Sequence, residues 1–177
     1  VACDLSLGQG LPVCSRVKTL ILCGEDLKSA LATEVVAGQE GLELYNEYGP
    51  TEATVGCMIH RFDASDAALS VPIGKPAMGS EIYLLDERMN LVPEGDVGEI
   101  FIGGPGLARG YFNRAELTVE RFVVWEGRRL YKTGDLGRWR ADGVLLYLGR
   151  CDRQVKIRGH RVELGEIEAA VAAHPQV

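Results

Sequence analysis

An α/β fold is predicted for this 177-residue chain. Three observations predict it. A short apolar run, Thr19-Leu20-Ile21-Leu22-Cys23, is followed by a stretch with helical spacing and then by a second run, Leu42-Glu43-Leu44-Tyr45; that order and spacing make a βαβ unit. From Val71 onward short strand signals are separated by turn residues, as in a β-rich subdomain. A final helical stretch, Gly165 to Ala173, closes the series.

The first run ends at Gly24 and reads as a buried, parallel strand. Glu25-Asp26 then open a helix, where acidic residues suit the dipole, with Leu27, Ala30, Leu31 and Val35 on one face and Gly38 as its stop. In open α/β sheets ligands bind beyond the carboxyl ends of strands, which places Gly24 and Tyr48 at a candidate site. Met58 to Phe62 is a further strand and Asp63 to Ser70 a polar loop. Ile82 to Leu85 is a strand signal, Pro93-Glu94-Gly95-Asp96 a turn, and Gly98 to Ile102 a strand closed by Gly103-Gly104. Arg114 to Phe122 has helical spacing through Leu117, Val119 and Phe122, with Asn113 as its cap. Arg129 to Lys132 is a strand before Thr133-Gly134-Asp135, and Trp139 to Tyr147 a hairpin on Asp142-Gly143. Gln154 to Arg158 alternates and ends at Gly159; Pro175 ends the last helix.

Hydrophobic content of 46% and charged content of 25% are ordinary for a soluble globular chain. The net charge of −6 argues against a general nucleic-acid binder. No apolar run approaches the roughly 20 residues of a membrane helix. The start, Val1-Ala2-Cys3-Asp4, lacks the basic region of a signal peptide and an initiator methionine, and reads as a cut end. Five cysteines (Cys3, Cys14, Cys23, Cys57, Cys151) and three scattered histidines (His60, His160, His174) have no metal-site spacing, so reduced, incidental thiols are expected.

The stretch that concentrates chemistry is Tyr45-Asn46-Glu47-Tyr48-Gly49-Pro50-Thr51-Glu52. An aromatic face can stack on a base, a threonine hydroxyl can bond a phosphate oxygen and a glutamate can hold magnesium. The same octet also reads as a strand-to-helix turn with Glu52 near a helix start. Elsewhere Asp135 reads as a turn former or a binding carboxylate, and Arg150 as a surface ion-pair partner or a site residue. Gly103-Gly104-Pro105-Gly106 lacks dinucleotide spacing and reads as a tight strand turn, Arg109 as structural, and Arg128-Arg129 as a solvated face.

Four blocks in order resemble the adenylate-forming enzymes, most closely the adenylation domains of nonribosomal peptide synthetases. They are Asn46-Glu47-Tyr48-Gly49-Pro50-Thr51-Glu52; Gly98-Glu99-Ile100-Phe101-Ile102 with Leu107-Ala108-Arg109-Gly110-Tyr111; Tyr131-Lys132-Thr133-Gly134-Asp135-Leu136; and Gly149-Arg150-Cys151-Asp152-Arg153-Gln154-Val155-Lys156-Ile157-Arg158-Gly159 running on to Glu168. The resemblance implies that residues 1–151 form the C-terminal part of a large AMP-binding subdomain, a parallel βαβ sheet plus a β-rich part. Residues 152–177 would form the hinge and the start of a small α+β C-terminal subdomain. It implies ATP-dependent activation of an amino acid as its adenylate, with release of pyrophosphate. Transfer to the phosphopantetheine thiol of a peptidyl carrier domain follows, with a condensation domain as neighbour and the cytoplasm as location. It carries over Tyr48 as the adenine stack, Asn46 and the Gly24 backbone as readers of the base, Thr51 at the α-phosphate and Glu52 on Mg²⁺. Asp135 falls at the ribose hydroxyls, Arg150 beside ribose and phosphate, and Asp152 at the hinge. The loop around Lys156 to Gly159 would face the site in the thiolation pose. Ile21, Cys23, Glu47, Val55 and Gly56 fall at acyl-pocket positions, with Cys23 where many relatives have glycine; Glu47 beside Val55 and Gly56 implies a polar substrate side chain, asparagine among the candidates.

The family's lysine-ended phosphate loop is expected before residue 1 and its catalytic lysine beyond Val177. The expectation is therefore a fragment inactive alone. An acyl- or aryl-coenzyme A ligase of the same superfamily and a non-catalytic nucleotide-binding module remain the alternatives.

Overall fold

The computed structural model describes residues 17–65, 68–152, 154–157 and 160–174. Cys3, Cys14, Gly159 and Pro175, to which roles were assigned above, lie outside the described residues. Two sheets carry most of the chain. The first contains β1 (Thr19–Cys23), β2 (Glu43–Tyr48), β3 (Met58–Arg61) and β4 (Lys75–Pro76) in that order. β1 and β2 are parallel, joined by α1 (Ser29–Ala37), whereas β3 runs antiparallel to β2 and β4 antiparallel to β3. The βαβ unit is therefore present, and Gly24 and Tyr48 do lie at the carboxyl ends of its parallel strands.

Helix α1 starts later than its sequence suggests. Glu25 and Asp26 precede it, because Lys28 is extended and bridges Ser70 while the Ser29 amide donates to the Leu69 carbonyl. Asp26 accepts from Lys28 and Ser70 instead of serving the helix dipole. The later start rotates the buried face, so that Ala32 packs with Leu27, Val35, Leu44 and Val71 and Ala30 is exposed. Gly38 caps the helix end as expected.

The second sheet contains β5 (Glu81–Leu85), β6 (Val97–Gly103), β7 (Phe122–Trp125), β8 (Arg128–Trp139) and β9 (Leu145–Arg150). It is antiparallel throughout. The 12-residue β8 is its spine: β6 lies along one edge, while β7 and then β9 share the other. The strand expected at Arg129 to Lys132 thus runs on through Thr133-Gly134-Asp135, and β7 is an element the sequence reading lacked. The preceding α2 (Ala115–Arg121) is short, and none of its residues is buried. Leu117 and Val119 are exposed, and Asn113 sits at φ 52° outside it without capping it. Phe122, assigned above to the buried face of that helix, opens β7 instead.

The largest apolar cluster joins both sheets: Met58 of β3, with Cys57 just before it and Ile73 just before β4, meets Ile100, Ile102, Phe122, Tyr131 and Leu145 from the second. A backbone seam reinforces it, with Ile73 and Gly74 exchanging hydrogen bonds with Leu145. Beyond β9 come an antiparallel pair, β10 (Gln154–Ile157) and β11 (His160–Glu163), then α3 (Leu164–Ala172), whose Ile167 and Val171 are about half exposed.

Leu145 is fully buried at the seam. Leu145→Ala is expected to cost about 2–5 kcal/mol of stability through lost transfer energy and a cavity. Urea unfolding with an unchanged slope would show it; a midpoint equal to wild type would place the two sheets' cohesion elsewhere.

Candidate functional site

The octet is not a single turn. Tyr45 to Tyr48 complete β2, Gly49-Pro50 break the strand, and Thr51–Ala53 form one turn of 3₁₀ helix. The Pro50 carbonyl accepts from the amides of both Ala53 and Val55. This folds the chain so tightly that Thr54 and Val55 take φ of 59° and 67°, a left-handed conformation that β-branched residues rarely adopt. Such strain persists only where surroundings over-determine it, and it clusters at functional sites. Gly49 is required by the same fold: a Cβ there would lie 1.5 Å from the Val55 carbonyl oxygen.

Strand alternation splits the expected site residues into two groups. Asn46 and Tyr48 share one face of β2 and Glu47 the other. Glu47 pairs with Cys23 and Ile59 in neighbouring strands, and Ile21 is on the same face as Cys23. Ile21, Cys23 and Ile59 are all exposed, so this face is an open surface of small and apolar groups around one carboxylate. Gly56 abuts it, since a Cβ at Gly56 would be 2.4 Å from a Glu47 carboxylate oxygen. Val55 is half exposed next to it in the chain.

Toward the other face, a shallow cleft opens between the two sheets, lined by Gly24, Asn46, Tyr48, Ile73, Asp135 and Tyr147, with Glu47 also at its border. Asn46 is buried, and its amide nitrogen donates to the carbonyls of Val71 and Pro72, both at 3.0 Å. Two carbonyl partners fix the nitrogen's identity and leave the side-chain oxygen as an acceptor.

Across the cleft the Tyr48 hydroxyl donates to Asp135 Oδ2 at 2.6 Å, joining residues 87 positions apart. Arg150 Nη1 donates to Asp135 Oδ1 at 2.6 Å. The same guanidinium grips Asp152 with two bonds, Nε to Oδ1 at 2.7 Å and Nη2 to Oδ2 at 2.6 Å, and reaches the Thr133 carbonyl at 3.1 Å. Asp135 and Arg150 side chains are only 11% and 12% exposed, so this is a nearly buried ion pair rather than a surface one. Asp135 is also not a turn former; it sits in β8 where the strand bulges. Glu99 pairs with Leu136 and Phe101 with Lys132, so β8 carries two more residues than β6 across the interval. Thr133 shapes the bulge by donating to the Ile100 carbonyl and accepting from the Asp135 amide, and Glu99 accepts from the Gly134 amide. Gly134, at φ 77°, could carry no Cβ, which would meet Arg150 Nη2 and Asp152 Oδ2 at 2.6 Å each.

Burial, followed by the Asp135 carboxylate, raises the Tyr48 phenol well above its usual range, so it is a neutral donor at ordinary pH. Burial and the same charge push Tyr147 up to about 12. Burial pushes Cys57 up to about 12, leaving an unreactive thiol. Burial alone would lower Arg150, but hydrogen bonds to Asp152 and the charges of both aspartates raise it instead. Burial alone would raise Asp152; the Arg150 hydrogen bonds and the Gln154 amide hold it below the usual carboxylate range.

Glu52 is buried, its Oε1 accepting from the Tyr111 hydroxyl at 2.5 Å, while Thr51 is exposed beside it. Among the described residues no group of three His, Cys, Asp or Glu could hold a metal ion. A single carboxylate outside any three-ligand group fits magnesium, which keeps several waters and binds through one or two carboxylates plus substrate phosphates. It does not fit a protein-caged structural metal. No helix among the described residues is long and apolar enough to cross a membrane.

Tyr147, Ile73 and Tyr111 were missed by the sequence reading. Tyr147 had a signal, an aromatic three residues before Arg150 on the strand that delivers that arginine; Ile73 had none, because the seam with Leu145 is visible only in three dimensions. Arg129 was read as solvated, yet it donates to the Ala108 and Arg109 carbonyls and lies 4.2 Å over the Phe122 ring.

A family model described as AMP-binding enzyme matches residues 6–112. Bacitracin synthase 3 of Bacillus licheniformis is 52% identical over 168 residues, covering 92% of this chain and 3% of that protein. Tyrocidine synthase 3 of Brevibacillus parabrevis is 48% identical over 168 residues, again covering 92% and 3%. Among solved structures, a holo NRPS protein containing adenylation and PCP domains, bound to a vinylsulfonamide inhibitor, superposes with a TM-score of 0.84 at 36% identity, covering 89% of this chain and 28% of that one. The Vibrio cholerae adenylation domain AlmE, in complex with glycyl-adenosine-5'-phosphate, superposes at 0.82 with 36% identity, covering 90% and 31%. The chain spans between 2% and 15% of the length of the curated relatives it matches.

The Asp152 carboxyl lies below its ordinary value in the folded protein, so its contribution to stability is present above pH about 4 and is lost as pH falls through the folded value. Arg150→Met should raise the Asp152 carboxyl, read by NMR titration, and cost about 3 kcal/mol by stranding Asp135. An unmoved Asp152 titration would show that Arg150 does not hold it.

Proposed function

The chain belongs to the AMP-binding enzyme family, and from that premise we propose that it carries one wall of the nucleotide site of an amino-acid adenylation domain of a nonribosomal peptide synthetase. The protein that carries it activates an amino acid with ATP, releases pyrophosphate, and passes the acyl group to a phosphopantetheine thiol on a carrier domain. One observation carries this reading: a stackable aromatic and a ribose-ready carboxylate, Tyr48 and Asp135, border one cleft and are joined by a hydrogen bond, with the Arg150 guanidinium paired to Asp135 behind them. The similarity to synthases of bacitracin and tyrocidine supports a peptide synthetase over a coenzyme A ligase.

Each residue has a task its geometry suits. Tyr48 and Tyr147, whose rings are 6.3 Å apart, border the slot for the base. The Asn46 side-chain oxygen and the Gly24 backbone meet the amino edge of adenine. Asp135 has two oxygens, each with a second lone pair, to accept from the ribose hydroxyls while keeping Tyr48 and Arg150. Thr51, exposed at the start of the 3₁₀ turn, presents its hydroxyl to the α-phosphate, and Arg150 adds positive charge there. The substrate carboxylate must approach a polyanion, so catalysis rests on positioning and charge neutralisation. A magnesium ion held by Glu52 and the substrate phosphates would offset part of the phosphate charge. The open face carrying Ile21, Cys23, Glu47, Val55 and Gly56 is the acyl side, with the Glu47 carboxylate suited to a side chain that donates a hydrogen bond, such as that of asparagine. Residues 1–151 belong to the large subdomain, and Asp152 is the hinge to the small one that residues 152–177 begin.

Amino-acid-dependent exchange of pyrophosphate into ATP by the protein that carries this chain tests the proposal. Asp135→Ala should lower kcat/KM for ATP at least about tenfold, the equivalent of about 1.4 kcal/mol. Unchanged exchange and unchanged ATP affinity would leave a nucleotide-binding module without adenylation as the better reading.

A further inference from the structure

The loop of residues 104–111 is fastened to the 3₁₀ turn that bears Thr51 and Glu52. The Ala108 amide donates to the Glu52 carbonyl at 2.8 Å, and the Thr54 hydroxyl to the Gly106 carbonyl at 2.5 Å. From the other side, Arg129 holds the carbonyls of Ala108 and Arg109 at 2.8 and 2.9 Å. The loop ends at Tyr111, whose amide donates to Thr118 Oγ1 at 2.9 Å and whose ring packs edge-on against Phe122 at 5.8 Å. Tyr111 is thus held at its backbone and along its ring before its hydroxyl reaches anything. That hydroxyl then donates to Glu52 Oε1 at 2.5 Å.

We infer that Tyr111 is a positioning residue that sets the rotamer of the Glu52 carboxylate for the magnesium–nucleotide complex. This rests on the adenylation reading above. A glutamate has three rotatable bonds, and one that must meet a cation loses affinity when it samples several arrangements. A neutral phenol is suited to restraining it, because it bonds one carboxylate oxygen without supplying a positive charge that would compete with the metal. The loop does not need the phenol to stay in place, since Ala108, Thr54, Arg129 and Thr118 anchor it independently. Removing the hydroxyl leaves these anchors in place while ending its bond to Glu52 and its contact with the buried Tyr131 of β8.

The test is Tyr111→Phe in the protein that carries this chain, with Tyr83→Phe as control. Tyr83 also donates to a glutamate, Glu81, but in an exposed cluster with Arg128 on the second sheet. Manganese binding is followed by electron paramagnetic resonance with a non-hydrolysable ATP analogue present, and nucleotide binding is measured separately in EDTA. Tyr111→Phe should weaken manganese binding about tenfold, as expected for an outer-shell partner, and broaden the bound-metal spectrum. It should raise the magnesium concentration for half-maximal pyrophosphate exchange by a similar factor, leaving metal-free nucleotide affinity and the KM for the amino acid unchanged in a variant that still unfolds cooperatively. Manganese binding equal to wild type in the folded variant overturns this inference alone. Equal loss of nucleotide affinity with and without metal also overturns it, because Tyr111 would then support the site as a whole. A wild-type protein that binds neither manganese nor nucleotide overturns the adenylation reading and this inference with it.

Discussion

The nearly buried pair of Arg150 and Asp135 is the constraint around which the cleft is arranged. Taking two charges out of water costs several kcal/mol each, a cost offset only when geometry is good and every remaining donor and acceptor is used. Here it is used closely. One guanidinium serves two carboxylates and a carbonyl, and the far oxygen of Asp135 takes the Tyr48 hydroxyl from the other sheet. For these bonds to coexist, β8 must bulge at Thr133–Asp135, β9 must deliver Arg150 directly opposite, and β2 must end where it does. The apolar cluster beneath brings the two sheets together, but it is indifferent to register at the level of a single side chain. The polar chain is not, and so it fixes how the sheets face each other at the mouth of the cleft.

A second constraint operates at the turn after β2. The strained pair Thr54-Val55 is held by bonds from both directions: the Pro50 carbonyl within the turn, and the loop of residues 104–111 outside it. That loop is in turn held by Arg129, an exposed side chain whose charge is directed into backbone carbonyls. Residues far apart in sequence and individually ordinary thus share the task of keeping Thr51 and Glu52 in place.

Much of this was legible in the sequence, for identifiable reasons. The βαβ unit announced itself through two short apolar runs at the right spacing, and the hairpin through Asp142-Gly143. The candidate site residues came from a resemblance, and the structure brings Gly24, Asn46, Tyr48 and Asp135 to one cleft with Arg150 paired to Asp135 behind it. What failed were local rules overridden by long-range contacts. Glu25 and Asp26 looked like a helix start, but Lys28 pairs with Ser70, 42 residues away, and delays the helix. Leu117, Val119 and Phe122 looked like one helix face, but Phe122 belongs to a strand because the core of the second sheet recruits it. Thr133-Gly134-Asp135 carries turn residues yet lies inside a strand, since a bulge uses the same backbone freedom as a turn. No periodicity could reveal Tyr111 opposite Glu52, a contact between residues 59 positions apart.

The alternation along β2 has an implication for redesign. A strand turns successive side chains to opposite sides, so Asn46 and Tyr48 project away from the Cys23 and Ile59 side, and Glu47 between them reaches the border of the cleft. Substitutions at Ile21 and Cys23, which are exposed and do not line that cleft, alter the one surface with the least effect on the other. Strand parity thereby separates two selections, and mutational libraries that respect it can vary one with little effect on the other. Libraries that insert or delete a residue within β2 would exchange the two faces and lose both.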